Sequence, residues 1–201
     1  MSIRHTVEPG QAQPSEPDPV LDAARESILA VGFRRTTLTD VARRAGVSRM
    51  TIYRRFADMK ALLADLLVRE WGELLAATPV RDPDEVTAAS LADSVTAMVR
   101  ALREDPLFAR IVEVDPELLL PYVLERRGRN QELLREALAD AVRAGQEAGT
   151  VRSVDPDLLA RSVLLGAQGF LLSSAIMTDP HIDQAALDAE LRHLLERHLA
   201  P

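Results

Sequence analysis

The sequence predicts an all-α protein of about nine helices, in which a small N-terminal three-helix unit precedes a larger helical body. Three observations lead there. Ala, Leu, Val, Arg, Asp and Glu dominate while aromatics make up 3% of the chain, a mix that favours helices over pleated strands. Apolar residues recur at helical spacing between breaks. The breaks themselves are helix punctuation: Gly32, Gly46 and the Asp-Pro pairs that begin at Asp82, Asp105, Asp115, Asp155 and Asp179. With 201 residues, 47% of them apolar, the chain has enough material for one large core or two small ones.

Met1 to Asp18 holds Pro9, Gly10, Pro14 and Pro17 and hardly any large apolar group, so it reads as a disordered arm that cannot offset its ordering entropy. From Pro19, the spacing Leu21, Ala24, Ile28, Val31 predicts a first helix that Gly32 closes. Thr37, with Asp40 three places on, opens a short second helix through Leu38, Val41, Ala42 and Ala45. Gly46-Val47 breaks it, and Ser48 caps a third helix with Ile52, Tyr53 and Phe56 on one side. A longer helix starts at Asp58 and carries Leu62, Leu63, Leu66, Leu67 and Trp71 to about Ala77. Further helices are expected at about 84–103, 106–113, 117–148 with a kink at Pro121, 156–177 and 184–199. The domain reading is 1–18 arm, 19–67 nucleic-acid-binding unit and 68–201 helical body.

Charge decides what the small unit meets. The chain carries a net −7, but residues 1–19 contribute one Arg against three acids, residues 20–70 ten basic against six acidic groups, and residues 71–201 thirteen against twenty-two. A +4 module on an acidic body is the distribution a protein needs when it touches phosphate with one face only. Two short helices joined by a tight glycine turn have the geometry of a helix-turn-helix, whose second helix lies in the DNA major groove. In Leu38–Phe56, Ala42 and Ala45 let the helices approach, Val47 and Ile52 lock them, and Arg49, Met50, Thr51 and Arg54 are left outward.

Gly32-Phe33-x-x-Thr36-Thr37, Ala42-x-x-Ala45-Gly46-Val47-Ser48 and Tyr53-x-x-Phe56 stand in the order and spacing of the TetR family's N-terminal domain, which the chain resembles over about fifty residues. The resemblance implies a homodimer that binds double-stranded DNA at a palindromic operator, most simply a repressor released by a small, largely apolar effector; the absence of cysteine and of a membrane-spanning run fits a cytoplasmic protein. It implies a DNA-contact set of Thr37, Thr39, Ser48, Arg49, Met50, Thr51, Tyr53, Arg54 and Lys60. Within it, Arg49 and Thr51 reach bases, and Thr37, Tyr53 and Arg54 lie near phosphates. The family usually has Lys where this chain has Met59; here the single lysine is one place later, at Lys60. Met50 is larger than the residue common at its position, and its apolar end fits a thymine methyl.

The same resemblance places a ligand pocket among the central helices, where Trp71, Met98, Phe108, Tyr122, Gln168 and Phe170 are the large or polar candidates. It places the dimer contact on the last two helices, through Leu164, Leu171, Leu187, Leu191, Leu194 and Leu195. Other chemistry is poorly served. There is no cysteine, so thiol catalysis, disulfides and cysteine-held zinc are excluded. His5, His181, His193 and His198 read as exposed, and the last two lack the i, i+4 spacing of helix-borne metal ligands. Glu113, Asp115 and Glu117 read as helix-start chemistry rather than a metal cluster. No phosphate loop or nucleophile elbow occurs, and no apolar run of about 18 residues stands out as a membrane span. No metal, cofactor or membrane partner is therefore expected. Arg43, Arg44 and Arg55 read as surface charge, either solvated or hydrogen-bonded to Asp40 or Asp58, and Arg126, Arg127 and Arg129 as a second surface cluster. The alternatives to a ligand-responsive regulator are an architectural DNA-binding protein without a pocket and a helical small-molecule enzyme, and the latter lacks any identifiable acid–base pair.

Overall fold

The computed structural model describes residues 17–77, 86–125 and 127–201, with side chains through 72 in the first stretch. Residues 1–16 of the expected arm, and Arg126, lie outside it. Ten α-helices are present among the described residues: α1 (Pro19–Val31), α2 (Leu38–Arg44), α3 (Arg49–Arg55), α4 (Met59–Ala77), α5 (Ala88–Glu104), α6 (Pro106–Val114), α7 (Leu120–Leu124), α8 (Arg129–Glu147), α9 (Pro156–Ser173) and α10 (Gln184–Leu199). No strand occurs among them.

Local chemistry explains the ends. Asp18 caps α1, accepting from the N–H groups of Val20 at 3.1 Å and Leu21 at 3.3 Å, with Pro19 in the first turn where its missing N–H costs nothing. Asp18 therefore belongs to the folded unit rather than to the arm. Arg55 grips the same carboxylate and lies 4.7 Å over the Phe56 ring. Burial pushes the Asp18 carboxyl up, but the bonds from Arg55 and the helix N–H groups outweigh it and hold it below the usual carboxylate range. Thr37 and Ser48 cap α2 and α3, accepting from the Asp40 and Thr51 N–H groups at 3.2 and 3.1 Å. Between them Gly46 takes φ +70, the left-handed conformation that reverses the chain cheaply only for glycine.

The single helix expected over 117–148 is three pieces: a 3-10 turn at Pro116–Leu118, then α7, then α8. Pro116 and Pro121 each start an element, since neither can donate to a preceding turn. Gly128 then caps α8, its N–H bonded to Gln131 Oε1 at 2.8 Å. The helix expected from about 84 begins at Ala88, because Thr87 and Ser90 form a reciprocal capping box. The last turn of the 156–177 segment tightens into a 3-10 turn at Ser174–Met177.

Two cores result. Leu21, Ile28, Val41, Ile52, Phe56, Leu62 and Leu66 of α1–α4 are joined by Leu107 and Ile111 of α6. The second core packs α5, α8, α9 and α10 around Leu91, Val142, Leu159, Val163, Leu191 and Leu195. Pro156–Met177 is long and apolar enough to cross a membrane by composition, a stretch that the sequence reading passes over. Leu159, Ala160, Val163 and Ala167 bury one side of it in the second core, and its Asp157 pairs with Arg135 and Arg161. A buried carboxylate is paired beside that core: Asp188 of α10, 3% exposed, accepts from Arg103 Nη2 at both oxygens, 2.9 and 2.7 Å, from Arg100 Nε at 3.4 Å and from Gln184 at 3.1 Å. Burial raises its pKa, and these donors bring it below the ordinary value.

Candidate nucleic-acid interface

The N-terminal half of α3 is presented outward because its inner face is spent on Ile52, 1% exposed, and the helix ends on Phe56, 2% exposed. Arg49, Met50, Thr51, Tyr53 and Arg54 are all exposed, Met50 at 77% and Tyr53 at 54%. Ser48 Oγ lies 2.8 Å from Thr51 Oγ1, and Thr37 Oγ1 donates to Asp40 at 2.6 Å. Thr37 is exposed and Thr39 half-buried on α2. The structure thus gathers Thr37, Thr39, Ser48, Arg49, Met50, Thr51, Tyr53 and Arg54 on the two helices of one motif.

The ion pairs sort the cations of this unit. Arg43 binds Asp40 at 2.8 Å, Arg44 binds Glu26 at 3.0 Å and Arg55 binds Asp18. Arg44 and Arg55 therefore pair with α1 and its cap, not with the Asp40 or Asp58 partners expected for them. Arg25 and Arg69 tie α1 to α4 through Glu70 at 2.9 Å and Asp22 at 2.7 Å. Arg49, Arg54 and Lys60 have no carboxylate partner among the described residues, and all three are exposed. Lys60 sits in the first turn of α4 just beyond α3, while Met59 packs against the first core. Arg35 of the α1–α2 turn also lacks a carboxylate partner among the described residues and donates to Val31 O at 2.8 Å; the rest of the positive charge left over lies at α3 and the start of α4, where a polyanion meets it without breaking an existing pair.

Behind this unit lies a cavity of about 1620 Å³, walled by α4 to α9. Trp71, Met98, Phe108, Tyr122 and Gln168 line it as expected. Phe170 does not: it packs against the second core, because the cavity-facing stripe of α9 runs through Arg161, Leu164, Leu165, Gln168, Leu171 and Leu172, at i, i+3, i+4, i+7 spacing. Most polar groups on the wall are already engaged. Gln131 Nε2 donates to Tyr122 O at 3.1 Å, Arg127 pairs with Glu132 at 2.8 Å, and Arg129 reaches Asp65 of α4 at 3.2 Å. Arg127 and Arg129 thus join this wall.

The expected dimer set divides. Leu194 is 49% exposed and Leu187 half-buried, but Leu191 and Leu195, at 1% and 4%, are consumed by the chain's own core, and Leu164 and Leu171 face the cavity. The outer face of α9 and its following turn instead shows Leu158, Ile176 and Met177, each more than half exposed, beside the open Gly166 and Gly169. His181 and His193 are exposed, whereas His198 is half-buried, with Nε2 2.7 Å from Ser162 Oγ and 3.3 Å from Arg152. Burial and the Arg152 charge both push its pKa below the ordinary histidine value. No cluster able to hold a metal ion occurs among the described residues.

Sequence reasoning missed Asp115. It is 1% exposed, and its Oδ2 accepts the Phe33 N–H at 2.7 Å across 82 positions of chain, with Arg34 of the same turn 3.7 Å from its other oxygen. A Cβ on Gly32 would meet Val114 at 3.1 Å and Asp115 at 3.2 Å. The end of α6 is therefore clamped to the α1–α2 turn. No local signal announces this, because Asp-Pro-Glu reads as a helix start whether or not its carboxylate reaches elsewhere.

A small helical unit that leaves uncompensated cations along an outward recognition helix, mounted on a body with a large apolar chamber, defines a DNA-binding regulator of the helix-turn-helix class. Residues 20–66 match the family model described as bacterial regulatory proteins, tetR family. The whole chain is similar to an HTH-type transcriptional regulator of Mycobacterium tuberculosis, at 38% identity over 180 residues, which cover 90% of this chain and 92% of that one. Among solved structures it resembles the transcriptional regulator FadR from Bacillus subtilis in complex with stearoyl-CoA, with TM-score 0.63, 21% identity, and 90% and 98% of the two chains covered. It also resembles SmeT in its triclosan complex, with TM-score 0.61, 20% identity, and 91% and 90% covered. The chain belongs to the TetR family of bacterial transcriptional regulators, and it is not an enzyme.

Proposed function

We propose that this protein is a homodimeric, cytoplasmic repressor that holds a palindromic operator through α3 of each protomer and lets go when a largely apolar effector fills the cavity. The observation that carries the reading is the sharing of helices. The cavity wall includes Leu63 and Leu67 of α4 and Ile111 of α6, and those same side chains belong to the core of the DNA-binding unit. A ligand that binds better when this wall is displaced must shift the unit that reads DNA. The apolar lining agrees with the ligands in the FadR and SmeT complexes. In this reading Arg49 and Thr51 contact bases, Thr37, Tyr53, Arg54 and Lys60 lie at phosphates, and Thr39, Ser48 and Met50 complete the surface. The dimer forms on the exposed Leu158, Ile176 and Leu194 of the α9 and α10 segments.

The test is binding of the purified protein to genomic fragments, including the DNA upstream of its own gene, at two salt concentrations and beside Arg49→Ala. Selective binding that the substitution abolishes supports the reading. Weak binding, equal for all fragments and indifferent to the substitution, overturns it.

A further inference from the structure

Among the residues that wall the cavity, Trp71 alone has a solvent-excluded polar atom without a partner: its indole Nε1 finds no acceptor among the described residues. The neighbouring polar groups differ. Gln131, Arg127, Arg129, Arg135 and Arg161 each hold a hydrogen bond or ion pair within the chain. Trp71 stands on α4, meets Phe108 of α6 edge-on at 6.1 Å between ring centres, and packs against the core of the DNA-binding unit. An N–H left unmade in an apolar setting is costly, and an oxygen brought to it is correspondingly favoured.

We infer that Trp71 Nε1–H is the polar anchor of the effector, and that the effector is a long-chain acyl compound: an alkyl tail carrying a carbonyl-type oxygen. The inference rests on the cavity being the effector site. The tail suits a lining made chiefly of Leu, Val, Ala, Met and Phe, in a chamber larger than the roughly 300–1,000 Å³ of drug-sized sites. The oxygen suits the indole. Because Nε1 is closed off by packing in the unliganded form, the oxygen reaches it only by turning Trp71 away from its neighbours across the α4–α6 seam. The hydrogen bond is then made in the displaced state alone, which is the differential affinity that a ligand-driven switch requires.

Trp71 is the chain's only tryptophan, so its emission reports on this contact without interference. The full-length protein is titrated with dodecanoate, with tridecan-2-one as an uncharged carbonyl, and with dodecyltrimethylammonium, which has the tail and no oxygen. Binding is followed by emission and calorimetry, and operator release by mobility shift. The expected result is a saturable emission change and operator release with both oxygen-bearing probes and neither with the ammonium. Trp71→Phe, which keeps the ring against Phe108 and removes only the donor, should bind the carbonyl probes about three- to tenfold more weakly by calorimetry. Equal binding of all three probes, unchanged in Trp71→Phe, overturns the anchor and leaves the effector site standing. No binding of either carbonyl probe overturns the acyl class. Leu164→Trp fills the cavity from α9: carbonyl binding that survives it places the ligand elsewhere and overturns the cavity reading as well.

Discussion

Removing the Lys60 charge tests whether the start of α4 carries a phosphate contact in place of the residue at Met59. Each protomer brings Arg54 and Lys60, without carboxylate partners among the described residues, to the phosphates, so a dimer makes four such contacts. If each neutralises one phosphate, counterion release gives a slope of log affinity against log salt of about −0.9 × 4, or roughly −3.6. A fourfold rise in salt then weakens operator binding about 150-fold. Lys60→Ala removes two of the four contacts, so the slope falls to about −1.8 and the same salt step weakens binding only about 12-fold. Preference among operator variants should stay as it was, since a phosphate contact positions the protein and reads no base. Arg49→Ala is the control: it should flatten discrimination at one base pair of each half-site by about 1–3 kcal/mol. The assay is fluorescence anisotropy with operator and scrambled duplexes at four salt concentrations. A Lys60→Ala slope equal to that of the unsubstituted protein would refute the contact and leave Arg54 as the cation at the phosphates.

Three further outcomes are expected. Asp115→Ala strips the acceptor from the buried Phe33 N–H, which should cost about 1–3 kcal/mol and lower the melting temperature by several degrees in calorimetry; an unchanged melting temperature counts against the clamp. Asp188→Ala leaves Arg103, with its side chain 18% exposed, facing an emptied site, and should destabilise the body by about 3–5 kcal/mol in urea unfolding, whereas a loss below about 1 kcal/mol contradicts a buried pair. His198 has its folded pKa depressed, by burial first and Arg152 second, so the unfolded chain takes up this proton more readily. Its contribution to stability is complete above the unfolded value of about 6.5 and is lost as pH falls through that value towards the folded one; unfolding at pH 7.5 and 5.5 should show that loss, reduced in His198→Asn, and a protein that gains stability on acidification through His198 would reverse the argument.

The DNA-binding half was legible because its determinants are local. Thr37 and Ser48 cap within three residues, Gly46 turns within one, and the inward spacing of Val41, Ala42 and Ile52 is fixed by helical period alone. The body was legible only in part. Leu187, Leu191, Leu194 and Leu195 form one apolar stripe in the sequence, yet Leu191 and Leu195 are buried while Leu194 is half exposed. A stripe wide enough to face both its own core and a second chain does not say which residue goes where. Phe170 was misplaced for a related reason, since a helix apolar on more than one side has no single inward face. Asp115 and Arg44 were misread because their partners, Phe33 and Glu26, are set by how helices dock rather than by neighbours in the chain.

The docking explains why a cavity in the body bears on the DNA surface at all. Were α4 the sole connection, a wall displaced by ligand could be absorbed by a bend near Met59 without turning α3. The unit is held at a second point, because Leu107 and Ile111 of α6 are inside its core and Asp115 fastens the end of α6 to the α1–α2 turn. Trp71 and Phe108 meet where these two supports approach each other across the cavity wall. In the switch we propose, parting them moves α4 relative to α6, and a unit gripped by both rotates to follow. Close-packed interfaces of this kind repack between discrete arrangements instead of deforming smoothly. In that proposed switch a single side chain at the seam lets an effector choose between the arrangement that fits two successive major grooves and the one that does not.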